Sequence, residues 1–216
     1  RRFGLAFLCG ALTTVALPPV YFLPVLYLSL PMLVWMLAGV SGARGAFALG
    51  WWFGFGSFVT GLYWIGNALL VFGDRHAWMI PCAVLGLPGF LAVYTGLAAM
   101  VGRLGRNHLE RALLLSIGWA AAEWLRGHVF TGFPWNLVGY SWMGSDALMQ
   151  AAAWVGAYGL SLAAFLSAAA FPPWMWTTAL HSAHRIQPWA KYLPATSTTP
   201  GWAPRFATAW AQAKKS

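Results

Sequence analysis

Apolar residues run almost unbroken from Phe3 to Leu17, and five further runs of the same kind follow along the chain. This succession constrains the fold more than any other feature. A bilayer crossing needs roughly 20 apolar residues as a helix. The second run extends from about Phe22 to Val40 and holds Pro24 and Pro31; the third extends from about Gly45 to Phe72 and is long enough to span with tilt. The fourth, about Ala77 to Val101, contains Pro81 and Pro88, and the fifth covers about Leu109 to Leu125. The sixth begins after Asp146, read as an N-cap, and ends near Pro172-Pro173, with Trp174 and Trp176 as interface anchors. The first run is short and stops at Pro18-Pro19, which cannot continue a helix.

What surrounds these runs excludes a soluble domain. Charged residues make up 8% of the 216 positions and apolar residues 60%, whereas soluble domains carry about 25% charged side chains. Disorder is excluded as well, because it needs low hydrophobicity and high charge. The expected fold is all-α and polytopic, with about six transmembrane helices. Arg1-Arg2 ahead of an apolar stretch has the outline of a signal peptide, but no small-x-small cleavage site follows. It reads as an uncleaved first span.

Charge placement sets the expected orientation. With the N-terminus inside, Arg1, Arg2, Arg44, Arg103, Arg106 and Arg111 fall on the inner side with the five basic residues of the tail. Only Arg75 and Arg126 fall outside. Basic residues favour the cytoplasmic side, so six crossings place both ends there. The net charge of +9 therefore marks orientation and argues against a nucleic-acid partner. Residues 1–180 form the expected membrane domain. Residues 181–216, with Pro188, Pro194, Pro200 and Pro204, form a basic tail expected to be disordered or interfacial, with Trp202, Phe206 and Trp210 at helical spacing.

Reactive groups are few. Cys9 and Cys82 both lie in apolar runs and read as small buried groups. Asp74 with His76, and His181 with His184, resemble metal spacings without a third ligand, so no metal or cofactor is expected. Along the third run Ser57, Thr60, Tyr63 or Trp64, and Asn67 recur at helical spacing, beside the small-xxx-small pair Gly50 and Gly54. That face suits either a lipid cavity or hydrogen-bonded helix packing.

The stretch from Glu123 to Trp142 is the most informative. Glu123 and Arg126, spaced i and i+3, share a helix face and can pair near the outer end. Beyond Gly127 the chain is rich in Gly, Pro and aromatics, including Phe133, Trp135, Asn136 and Tyr140. This composition suits an ordered interfacial loop holding a lipid headgroup or acyl chain, or else an aromatic anchor closed by a structural ion pair.

Glu123-x-Leu-Arg126-Gly, followed by Phe130-Thr-Gly-Phe-Pro-Trp135 and Gly139-Tyr-Ser, resembles the membrane region of bacterial apolipoprotein N-acyltransferases. Gly61-Leu-Tyr63-Trp64-Ile-Gly66-Asn67, the Pro-interrupted first loop and Gly86-Leu-Pro88 are similar to other parts of that family, so the likeness covers about residues 2–175. The resemblance implies a multi-pass protein of the bacterial inner membrane. It also implies transfer of an acyl chain from phospholipid to the N-terminal cysteine of a diacylated lipoprotein. In the family a thioester-forming cysteine sits in a nitrilase-like Glu-Lys-Cys domain outside the membrane, after a seventh crossing. Neither Cys9 nor Cys82 has such partners nearby, and all three lysines lie in the tail. The expectation is a membrane domain unable to acylate alone, with lipid contacts at Tyr63, Trp64, Asn67, Glu123, Arg126, Phe133, Trp135, Asn136 and Tyr140. A truncation or frame change after about Thr178 would give the pattern seen. The alternative is a small non-enzymatic membrane protein acting as transporter, scaffold or subunit; the subunit reading requires a separately encoded nitrilase-like partner.

Overall fold

The structure, a computed structural model, describes residues 1–71, 77–129 and 132–171. The expectations on Asp74, Arg75, His76, Phe130, Thr131, Trp174, Trp176 and the tail from 181 onward lie outside the described residues. Among those described there is no strand, and each of the six apolar runs is helical. Helix α1 spans Arg2–Thr13, α2 Leu26–Ala38, α3 Ala43–Leu62, α4 Ile65–Leu70, α5 Leu87–Gly102, α6 His108–His128, α7 Asp146–Gln150 and α8 Ala152–Ala169.

The third run is not one helix. It breaks at Tyr63-Trp64 before resuming as α4, which turns two large aromatics out at the end of α3. The fourth run is continuous helix from Ala77 to Gly102, with a π turn over Cys82–Gly86 before α5. Asp146 is the first residue of α7 and not its cap; Ser145 precedes it in extended geometry. Within α8, Gly156 adopts φ 69° and ψ 178°, so the helix is kinked there. Two helices, Ala77–Gly102 and Ala152–Ala169, are long and apolar enough to cross a membrane by length and composition.

The six principal helices alternate in direction, which follows from their cross-contacts. Arg2 Nη1 donates to Gly39 O at 2.7 Å, tying the start of α1 to the end of α2. Thr14, just past α1, donates to Thr60 near the end of α3 at 3.3 Å, so α1 and α3 run parallel. Trp51 on α3 donates to Gly89 O early in α5, while Thr95 further along α5 donates to Gly50 O, so these two are antiparallel. His108 Nε2 at the start of α6 lies 3.1 Å from Ala169 O at the end of α8. One end of the bundle therefore gathers Arg1, Arg2, Gly39 and Arg44; the other gathers Thr14, Leu62 and the loop after α6.

Small residues let these helices approach. Gly10 on α1 lies against the Phe53 backbone of α3, and Gly56 on α3 lies against the Phe7 backbone. Gly50 and Gly54 pack on Thr95 of α5, as a small-xxx-small pair should. Phe53, Trp119 and Phe165 meet at the centre, with ring centroids 5.9 and 4.7 Å apart in sequence. The outer surface stays apolar: Trp154 is 91% exposed, and Trp35, Leu8 and Leu104 are also exposed.

Helix α6 has the only helix start among those described with a side-chain cap. Asn107 Oδ1 accepts from Glu110 N at 2.8 Å, and Glu110 returns to Arg106 N and Asn107 Nδ2. Replacing Asn107 by Ala should cost about 1 kcal/mol. A fall in melting temperature of roughly 2–4 °C in a thermal denaturation measurement would report it.

Candidate functional site

At the end of the bundle opposite Arg2, the chain from Phe133 to Gly144 folds over the ends of α1 and α3. Buried polar groups hold it there. Glu123 Oε1 accepts from Val138 N at 2.9 Å and from Trp119 Nε1 at 3.1 Å. Arg126 Nη2 donates to Trp135 O at 3.0 Å, and its guanidinium lies 4.8 Å from the centre of the Phe58 ring. Ser161 of α8 accepts from Gly139 N at 2.9 Å. Glu123 and Arg126 are each 4% exposed. The expected ion pair between them is not the contact made. Sitting one turn apart, the two side chains reach different points of the loop, and each bonds the backbone there.

Asn136 sits at the crest with φ 55°, a left-handed conformation open mainly to Gly, Asn and Asp. Its amide lies against Gly61 of α3, which has no Cβ to obstruct it. Asn136→Gly should leave stability near that of the parent, whereas Asn136→Val should cost roughly 1–2 kcal/mol. Thermal denaturation of the two variants side by side checks this.

The loop forms one wall of a cleft of about 580 Å³. Trp64 and Trp135, both lining it, stack on each other with centroids 4.8 Å apart at 18°. Phe133 packs on Trp135 at 5.0 Å. The opposite wall is the Pro18-Pro19 turn with Val15 and Leu17, and Tyr63 and Tyr140 complete the rim. Burial pushes the Tyr140 hydroxyl above the ordinary tyrosine range, so it is a neutral donor at physiological pH. The cleft is thus lined by apolar and aromatic surface with a few neutral polar groups, a lining that accepts an acyl chain and offers hydrogen bonds to an ester.

Of the residues singled out from sequence, the structure brings Tyr63, Trp64, Trp135, Asn136 and Tyr140 into this cleft. Phe133 and Arg126 line a separate groove on the other side of the loop. Glu123 faces a small inner cavity of about 20 Å³ that also touches Arg126 and Asn136. Asn67 is exposed on α4 and lines none of these. Ser57 and Thr60 bond Thr13 at the end of α1 and Thr14 just past it, so that part of the third run packs helices, while the run from Thr60 to Trp64 also borders the cleft. The proline turn, Ser161 and Tyr94 were not singled out; for the first, the Pro-Pro pair was the available signal. Cys9 packs against the core and Cys82 is exposed in the π turn. Among the described residues no three His, Cys, Asp or Glu side chains gather as a metal site.

An all-helical bundle with an apolar exterior and an aromatic-walled cleft at one end fits the class of helical membrane domains. Comparison with known proteins specifies which. The model of the apolipoprotein N-acyltransferase N-terminal domain matches residues 9–170. The chain is 49% identical over 180 residues to apolipoprotein N-acyltransferase of Brucella suis biovar 1, covering 78% of this chain and 34% of that protein. It has the same identity and coverage with the enzyme of Allorhizobium ampelinum. With that of Rhodopseudomonas palustris it is 44% identical over 168 residues, covering 75% and 31%. This chain belongs to the apolipoprotein N-acyltransferase family, through its N-terminal domain. It spans about a third of the length of these relatives.

Proposed function

We propose that residues 1–171 are the lipid-handling membrane unit of an apolipoprotein N-acyltransferase, crossing the bacterial inner membrane six times with both ends cytoplasmic. The cleft bordered by the stacked Trp64–Trp135 pair and the proline turn takes an acyl chain of a phospholipid or of a diacylated lipoprotein. The alternating helix directions and the clustering of Arg1, Arg2 and Arg44 at the end away from the cleft support this orientation. The single observation carrying the functional reading is the cleft itself, apolar, stacked with aromatics and walled by a loop whose backbone is bonded to the buried Glu123 carboxylate and Arg126 guanidinium of α6.

Acyl transfer through a thioester needs a thiolate, a base and oxyanion donors. Cys9 is packed into the core and Cys82 is remote from every acidic side chain in the described sequence around it. The reaction centre of the family reaction is therefore assigned to residues outside this unit, in the same polypeptide or in a separate nitrilase-like partner. A lipoprotein N-acylation assay on the purified 216-residue polypeptide tests this. The expected result is no transfer above background; robust turnover by the polypeptide alone would contradict it.

A further inference from the structure

The two sides of the Phe133–Trp135 wall are not equivalent. Opposite the tryptophan-stacked cleft lies a second groove of about 370 Å³, between α5 and the end of α6. Leu87, Phe90, Leu91, Val129 and Phe133 make its apolar walls, and Tyr94 and Arg126 supply its polar groups. Arg126 is the telling residue. A guanidinium carries five N–H donors and keeps its charge. Here, although almost fully buried, it spends one donor on a neutral carbonyl, that of Trp135. Its Nε has no partner, and no hydrogen bond engages Nη1 among the described residues. Glu123 on the same helix does not form an ion pair with it: its Oε1 accepts from Val138 and Trp119, and its Oε2, also buried, makes no hydrogen bond to Arg126. Buried charges are normally paired or fully hydrogen-bonded. A cation with unused donors bordering an apolar groove is therefore matched to an oxygen acceptor that arrives attached to hydrocarbon.

We propose that this groove binds one membrane phospholipid in a fixed pose, with an acyl-ester oxygen accepting from Arg126 and the chain running down α5. The proposal rests on the reading that this end of the bundle handles phospholipid, but it names a second, separate place for one. Depth supports the pose. Arg126 lies in the last turn of α6, level with Phe58 and so about one turn below the end of α3. From Phe90, which shares the groove with Arg126, Tyr94, Leu97 and Val101 follow down α5 at helical spacing as one stripe, and Phe90, Leu97 and Val101 are exposed. An extended chain leaving Arg126 toward the far end of the bundle would follow that stripe. The ester is a neutral acceptor, so binding it does not require Glu123 to give up its bonds to the loop.

The two lipid places have distinct peptides, which makes the proposal testable. The 216-residue chain is reconstituted into phosphatidylcholine nanodiscs with a trace of phosphatidylethanolamine carrying a diazirine in one acyl chain. After illumination, labelled residues are mapped by mass spectrometry. The expected result is preferential labelling of residues 94–101. Filling the path with Leu97→Trp, an exposed position, should cut that labelling at least fivefold while labelling at Tyr63, Trp64 and Trp135 persists. Arg126→Lys, which keeps the charge but loses Nε and the planar fork, should reduce labelling of 94–101 in the same direction. Labelling confined to the Trp64–Trp135 cleft would overturn this proposal and leave the wider reading standing. Labelling of the α5 stripe no stronger than at Leu8, Leu28 and Trp35 would mean bulk lipid only and would also overturn it. A diazirine fatty acid that labels 94–101 when the phospholipid does not would overturn the ester assignment.

Discussion

Replacing Glu123 by Ala should unfasten the loop and lower stability by about 3–5 kcal/mol, among the largest effects expected of a side chain this far from the helix crossings. The substitution strands two buried donors, the Val138 amide and the Trp119 indole, and removes the negative charge nearest in sequence to buried Arg126. Each orphaned group costs its desolvation. Melting temperature should fall by roughly 10 °C for a chain of this size. Glu123→Gln is the discriminating control. Its amide oxygen can still accept from both donors, so much of the loss should be recovered. Equal loss in Gln and Ala variants would mean that charge, and not the hydrogen bonds to the loop, carries the effect.

The second large effect belongs to the crossing of α1 and α3. A Cβ at Gly10 would meet the Phe53 carbonyl, and one at Gly56 would meet the Phe7 carbonyl. These are backbone atoms of rigid helices, so neither can swing aside as a side-chain end would. Gly10→Val and Gly56→Val should each cost at least about 3 kcal/mol by forcing the helices apart. Because α1 ends in Thr13 and leads directly into Thr14, which bond Ser57 and Thr60, separation would break those contacts too. Size-exclusion profile and helicity in detergent report the outcome. By contrast, Gly4 and Gly86 face open space, and Ala at either position should leave both readouts unchanged.

Much of this was legible in the sequence because hydrophobic runs and arginines are strong one-dimensional signals. All six runs are helical, and the arginines expected on one side, Arg2 and Arg44, do start helices at one end. The Gly50-Gly54 pair packs as its spacing suggests. Less legible was anything set by contacts between distant segments. The break at Tyr63-Trp64 follows no proline or charge, and makes sense only once Trp64 is seen stacked on Trp135. Spacing alone put Asn67 with Tyr63, but the break sends it elsewhere. For Glu123 and Arg126, helical spacing correctly gave one shared face, yet it could not reveal a loop folded back onto that face, with Val138 and Trp135 as better-placed partners than each other. The left-handed turn at Asn136 was equally invisible, since Asn can adopt that geometry but does so at only a minority of positions.

On the function proposed above, the cleft beside Trp64 and Trp135 takes a lipid acyl chain, and a phospholipid can supply it. Native mass spectrometry of the chain, purified in mild detergent, measures it most directly by counting retained lipids. Trp64→Ala removes the stack while leaving Glu123, Arg126 and the helix crossings intact, so the variant should keep its helicity. The account predicts one fewer retained phospholipid in that variant than in the parent chain. Identical lipid counts in the two, at unchanged helicity, would contradict it.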